Sequence, residues 1–185
     1  MLVKVKWQVI DRFISLPMNS KSIGENALNR FGGLDSKDIE ILEALQANAR
    51  MPFSELGRAI GLSQPAMSER VKRLEEIGVI QGYGARIDPR ALGLAMMAII
   101  RLRTTHEHIK TCLKKFGEIP NIVEVHRVTG EDCFILKVLV PTPEDLETIV
   151  DRIAGFGPVT TSVVLRSEQP RPIGGELIRL SRGMR

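Results

Sequence analysis

Cysteine is nearly absent. The 185 residues hold two, Cys112 and Cys133, with no C-x-x-C pair, which excludes a disulfide framework, a thioredoxin-type motif and a cysteine zinc set. Long apolar runs are missing too. The most apolar stretch, Leu94 to Ile100, is closed by Arg101 and Arg103, well short of the ~18 to 20 residues that a membrane span needs. No membrane partner is expected. Lys4, Lys6, Asp11 and Arg12 interrupt every apolar segment before Pro17, so the start of the chain does not read as an export signal and the cytoplasm is the expected location. Aromatic residues make up 4%, and charge of one sign is in small excess: 26 Lys plus Arg against 22 Asp plus Glu, net +4. That balance suits an anionic partner without establishing one.

Signatures of catalysis are absent as well. The chain has no G-x-S-x-G, no G-x-x-x-x-G-K-[ST] and no G-x-G-x-x-G after a strand. Of its three histidines, His106 and His108 flank Glu107 in a strand-to-helix loop, and His126 stands apart. A metal site there lacks a fourth well-spaced ligand, so solvated loop histidines are expected, and neither a metal nor a cofactor. Cys133 in an apolar strand and Cys112 on an amphipathic helix read as structural.

What is present is 43% apolar residues, enough for a core in one ordinary domain or two small ones of a chain this long. Residues 1–33 are basic, irregular and end in Gly32-Gly33, which reads as an arm or a poorly ordered extension. From Leu34 the pattern sharpens. Asp35 offers an N-cap with Asp38 three residues on, and Ile39, Leu42 and Leu45 recur at helical spacing to about Asn48. A second helix is expected after Phe53, with Ser54 as its cap and Leu56, Ala59 and Ile60 on one face, stopping at Gly61. Ser63 caps a third, Pro65 sits in its first turn, and Met67, Val71 and Leu74 line one side as far as Ile77-Gly78.

A helix, a glycine-containing turn and a second helix is the geometry that lays a recognition helix in the major groove. On the side of the third helix away from its apolar face stand Ala66, Ser68, Glu69, Lys72, Arg73 and Glu76. Gln64 and Ser68 suit base edges or phosphates, Ala66 allows close backbone approach, and Lys72 and Arg73 suit phosphates. Arg70, nearer the packed face, suits a structural or phosphate-clamping role. The residues equally fit a solvated amphipathic helix, with Glu69, Glu75 and Glu76 alternating with the bases.

Residues 83–93, with Asp88-Pro89, read as a linker between a domain at 34–82 and another at 94–167. The second domain alternates as strand, helix, strand, strand, helix, strand: Leu94 to Arg103, His106 to Phe116, Asn121 to Thr129, Cys133 to Val140, Pro143 to Ala154, and Val159 to Arg166. That order is ferredoxin-like, and the chain is expected to be α+β. Such a domain leaves one sheet face open, and Leu94 to Ile100 with Val123, Val125 and Val128 suggest that a second subunit covers it. The turn Thr129-Gly130-Glu131-Asp132 fits a zwitterionic amino acid, with amides for its carboxylate and an acid for its ammonium, and fits an ordinary hairpin as well. Residues 168–185, with Pro170, Pro172 and four arginines, read as a peripheral basic tail.

Leu34-Asp35-Ser-Lys-Asp38-Ile39, Ser54-Glu55-Leu56-Gly57, Gly61 through Glu75, the closing Gly78-Val79-Ile80 and the run Asp88-Pro-Arg-Ala-Leu-Gly93 together resemble the Lrp/AsnC family of bacterial and archaeal transcription regulators. The resemblance runs from about Leu34 to Ser167. It implies a winged-helix-like helix-turn-helix domain before a ferredoxin-like effector and oligomerisation domain, with dimers that assemble into tetramers or octamers. It implies double-stranded DNA bound through Ser54, Ser63, Gln64, Pro65, Ala66, Ser68, Glu69, Arg70, Lys72 and Arg73. An amino-acid effector would be held by Thr129, Gly130, Glu131 and Asp132 with Thr161 and Ser162 of the last strand. Many members carry Asp then Tyr where this chain has Cys133 and Phe134, which leaves Asp132 as the neighbouring acid. Sirohaem decarboxylases share the two-domain plan and are the enzymatic alternative, with His126-Arg127 near their tetrapyrrole-binding position. Their aromatic Trp-Pro-Tyr run is missing, since the single tryptophan is Trp7.

Overall fold

The computed structural model describes residues 33–168 and 170–181, the side chains of Arg179 and Ser181 excepted. The expected arm over residues 1–33 therefore lies, apart from Gly33, outside the described residues. Two compact units form: one contains 33–86 and 170–181, the other spans Ile87–Glu168, so the division falls inside the expected linker.

In the first unit, helix α1 (Ser36–Ala47) opens on a reciprocal capping box. The Asp35 carboxylate accepts the Asp38 N–H at 2.9 Å, and the Asp38 carboxylate accepts the Asp35 N–H at 3.0 Å. These bonds satisfy two of the donors that a helix start leaves open. Helix α2 (Phe53–Ile60) starts earlier than expected: Pro52 occupies the cap position and its carbonyl accepts the Glu55 and Leu56 N–H groups at 3.0 and 2.9 Å. Ser54 is thus no cap but an exposed residue of the first turn. The ring of Pro52 pre-sets the backbone there, and no side-chain acceptor is used. Gly61 closes α2 at φ +75°, a conformation that L side chains resist. Helix α3 (Gln64–Glu76) is capped by Ser63, whose hydroxyl accepts the Ala66 N–H at 3.4 Å. Met67, Val71 and Leu74 of α3 pack on Ile41 and Leu45 of α1 and Leu56 and Ile60 of α2. Each is apolar at a spacing of three or four, which is why three short helices share one core.

Past α3 no strand forms before residue 96, so the wing implied by the resemblance is replaced by irregular chain. Val79 and Ile80 pack against the helical core, and the Tyr83 hydroxyl donates to Glu75 at 2.8 Å. Partial burial, and after it the Glu75 carboxylate, push the Tyr83 phenol up to about 12. A raised folded-state value means stability that is present below the unfolded value near 10 and is lost as pH rises through about 12. Tyr83 is the single tyrosine, so the ultraviolet phenolate titration of the native protein should centre near 12, and Glu75→Gln should move it back toward 10. A midpoint near 10 in the unmutated protein would show that the hydrogen bond does not form in solution.

The C-terminal segment is not a peripheral tail. Ile173 exchanges two hydrogen bonds with the Gln46 side chain of α1, its N–H donating at 2.8 Å and its carbonyl accepting at 3.0 Å. Glu43 accepts the Gly175 N–H at 2.7 Å. A short helix (Gly175–Ser181) follows against α1. Composition suggested a solvated basic extension, but amide partners on a helix 127 residues earlier in sequence leave no trace in composition.

In the second unit a 3-10 turn at Arg90–Leu92 leads into strand β1 (Met96–Leu102). There follow a 3-10 turn at His106–His108, helix α4 (Ile109–Gly117), strands β2 (Ile122–Arg127) and β3 (Phe134–Val140), helix α5 (Pro143–Ala154) and strand β4 (Val159–Val163). The strands stand in the order β2-β3-β1-β4, with every neighbouring pair antiparallel, which is the split βαβ plan. Ala98, Ile100 and Leu102 of β1 and Phe134, Leu136, Val138 and Val140 of β3 point to one face. There they meet Ile109, Cys112 and Phe116 of α4 and Leu146, Ile149 and Ile153 of α5. The opposite face carries Met97, Ile99 and Arg101 of β1 and Ile135 and Lys137 of β3 by the alternation of the strands. No helix of the second unit packs on it. Among the described residues no helix is long and apolar enough to cross a membrane.

Candidate DNA-binding and effector sites

Helix α3 has one packed side and one bare side. Gln64, Pro65, Ser68, Glu69 and Lys72 are exposed, spaced so that they form a single stripe from the N-terminal end. Lys72 is the most open cation of α3, its side chain 75% exposed and 3.6 Å from Glu76. Such an exposed pair binds weakly, so the ammonium is free to exchange partners. Ser63 uses its hydroxyl as the cap, and Ala66 is half-buried. Ser54 is exposed on α2.

Arg70 and Arg73, expected among the DNA contacts, turn instead toward α1. Arg70 donates to Asp35 at 2.7 Å and to Asp38 at 2.8 Å. Arg73 binds the other oxygen of Asp38 and the Gly33 carbonyl. The Asp38 N–H, joined by the Arg70 guanidinium, holds the Asp35 carboxyl below its usual range, and Asp35 and Asp38 raise the Arg70 guanidinium. The sequence shows Asp38 as a capping acid; its second role across the helix packing has no local signal.

The turn expected to meet an effector lies at the rim of the sheet where β2 passes into β3. Cys133 donates its N–H to the Leu102 carbonyl at 2.8 Å, which brings the turn beside the end of β1. Asp132 pairs with Arg101 at 3.5 Å and Glu131 with Arg103 at 3.8 Å. Neither arginine stands out in the sequence except as the charged end of an apolar strand. Arg101 is opposite Thr160 in the β1–β4 register, while Thr161 is opposite Ile100 and Ser162 opposite Ile99. Alternation therefore sets Thr160 and Ser162 on the open face with Arg101 and turns Thr161 to the helix side, so the expected pair Thr161 and Ser162 do not share a face. Thr160 is the residue of β4 that sits nearest the paired charges by register. A shallow cleft of about 460 Å³ opens on the far side of Arg103, between Thr104, Thr105, His108 and the Gly155–Pro158 turn. None of the expected effector residues lines it.

On the open face, Lys137 donates to Glu124 at 2.7 Å and holds that carboxyl below its usual range, with His126 3.4 Å from it. Cys133 donates its thiol to the Thr104 carbonyl at 3.1 Å, and burial pushes the Cys112 thiol up, away from a reactive thiolate. Among the described residues no three His, Cys, Asp or Glu side chains converge as a metal set.

This two-unit plan has clear relatives. The AsnC-type helix-turn-helix domain matches residues 34–75, and the Lrp/AsnC ligand binding domain matches residues 97–173. The uncharacterized HTH-type transcriptional regulator YezC of Bacillus subtilis is 36% identical over 143 residues, 75% of this chain and 99% of its own length. The HTH-type transcriptional regulator Ptr1 of Methanocaldococcus jannaschii is 38% identical over 117 residues, 63% of this chain and 76% of its own. The solved structure of Bacillus subtilis LrpC superposes with a TM-score of 0.71 at 29% identity, covering 75% of this chain and 99% of LrpC. The relatives are regulators, which decides against the sirohaem decarboxylase alternative. The chain belongs to the Lrp/AsnC family of DNA-binding transcription regulators and is not an enzyme.

Proposed function

We propose that this regulator reads its operator through the bare stripe of α3 and adjusts that reading to an amino acid bound at the Arg101–Asp132 rim, acting in the cytoplasm as a homodimer or a higher assembly of dimers. The stripe carries the DNA reading: polar Gln64 and Ser68 at the exposed N-terminal end of a helix whose other side buries Met67, Val71 and Leu74. Gln64 and Ser68 are assigned to base edges and Lys72 to a phosphate. Two recognition helices related by a two-fold axis call for a nearly palindromic operator. The open sheet face, with Met97, Ile99 and Ile135 at its centre, is assigned to pairing between subunits.

An anisotropy titration tests the DNA reading, using duplexes selected by the protein from a random pool and scrambled controls across a salt series. Lys72→Ala should weaken both and flatten the slope of log K against log salt by about 0.9 for each phosphate that the lysine neutralises. Gln64→Ala or Ser68→Ala should lower the preference for the selected duplex and leave the slope alone. The opposite sorting would refute these roles.

For the effector, an Arg–Asp pair 3.5 Å apart offers one charge of each sign, the complement of a zwitterion. A bound amino acid replaces the pair by two, its carboxylate on Arg101 and its ammonium on Asp132. Calorimetry with single amino acids should find heat of binding that Asp132→Ala abolishes while DNA affinity stays. Unchanged effector affinity in that variant would move the site elsewhere.

A further inference from the structure

The recognition helix is held by a carboxylate that lies wholly out of solvent. Asp38 is the one buried charged side chain among the described residues, and three donors converge on it: the Asp35 N–H, Arg70 and Arg73. Arg70 also reaches Asp35 at 2.7 Å, so two carboxylates meet two guanidiniums and the cluster is neutral. The two arginines lie three residues apart and leave α3 on the side facing α1. Their side chains remain 30% and 42% exposed, at the edge of the packing and within reach of solvent. They flank Lys72, which points the other way and is free of this cluster.

The geometry points to Asp38 as a specificity-determining residue that never touches DNA: it fixes the rotation of α3 and withholds two arginines from the phosphates. This rests on α3 being the DNA-contacting helix. Two consequences follow from the same interactions. A bidentate anchor at one end of α1 sets which α3 side chains face outward, and small rotations of a helix move its exposed side chains relative to base edges. Confining Arg70 and Arg73 also removes cations that would otherwise bind any phosphate backbone, and such binding raises affinity for all sequences alike. Both effects favour discrimination over raw affinity.

Asp38→Asn keeps the size and one acceptor oxygen while removing the charge that holds the guanidiniums. The expected result is tighter binding to a scrambled duplex by a few-fold, a steeper salt slope as the freed arginines find phosphates, and a preference for the pool-selected duplex reduced about tenfold. A residue with only a structural part would weaken both duplexes together with the slope unchanged, and that outcome would overturn the proposal. Arg73→Gln is the second arm, and it stays informative where Asp38→Asn fails to fold. It should reduce preference while the slope holds; a slope flattened by about 0.9 per subunit would put Arg73 on a phosphate and overturn the proposal. The unmutated protein separates this proposal from the reading beneath it. Its failure to prefer any selected duplex defeats the assignment of α3 itself, whereas preference that survives Asp38→Asn undiminished defeats only the role of Asp38.

Discussion

Gly57→Ala should destabilise the DNA-binding unit by about 2 to 3 kcal/mol and abolish sequence-preferring DNA binding at moderate temperature. Gly57 is buried within α2, and a Cβ placed on it would stand 2.6 Å from the Leu62 carbonyl oxygen. That neighbour is backbone, so no side chain can swing aside. The same Gly57 carbonyl accepts the Leu62 N–H at 2.8 Å and the Gly61 N–H at the end of α2. The turn is therefore folded back on the residue that an alanine would enlarge. Leu62 precedes Ser63, the cap of α3, and a shift there changes the angle at which α3 leaves the turn. A urea melt followed by helical ellipticity reads the stability, and anisotropy on the selected duplex reads the function. A melt that matches the unmutated protein would show that the turn yields without cost and that its closeness does not set the angle of α3.

Phe116→Ala should cost the ligand-binding unit about 3 to 5 kcal/mol, the larger effect of the two. The ring is 1% exposed and meets Phe134 of β3 edge to face, with centroids 5.2 Å apart and planes at 83°. Most of the cost is the void left under the sheet, and part is the attraction between the two rings. Since α4 is short and buries only Ile109, Cys112 and Phe116, with Leu113 half-buried beside them, removing the largest of these side chains loosens its whole seat. The sheet face assigned to subunit pairing is the other side of the same strands, so the variant should dissociate at concentrations where the unmutated protein is an oligomer. Sedimentation equilibrium reads this. Phe116→Leu, which fills more of the void, should fall between the two proteins in both stability and assembly. An oligomer unaffected by a strongly destabilised core would place the pairing surface away from this sheet.

Local signals were legible in the sequence because they act within one turn of chain. The reading of α5 as Pro143 to Ala154 agrees with the structure to the residue, with Thr142 accepting the Asp145 N–H just ahead of the proline. The same is true of Ser63 before α3 and of Asp35 with Asp38 before α1. At the start of α2, Ser54 is the better cap by side-chain chemistry, but Pro52 two residues earlier decides by backbone geometry. The βαββαβ order followed from the switch between periods of two and of three to four residues. Six of the eight strand ends drew in by one to three residues, as in β4, where pairing with β1 stops at Val163, while the end of β3 at Val140 and the start of β4 at Val159 stayed in place.

Which side chains α3 turns outward was legible only as a helix face. The 100° per residue of a helix placed Gln64, Ser68 and Lys72 outward and Met67, Val71 and Leu74 inward. It could not say that Arg73 turns back to Asp38, because that bond joins positions 35 residues apart and depends on how α1 crosses α3. Arg101 with Asp132, and Gln46 with Ile173, were hidden for the same reason. The helices, the strands, their order and the family could be read along the chain, since all of them rest on interactions between near neighbours or on spaced motifs. Which charges are spent inside the molecule and which remain for a partner was settled only in three dimensions, because an ion pair forms only where packing brings two distant side chains within a few ångströms.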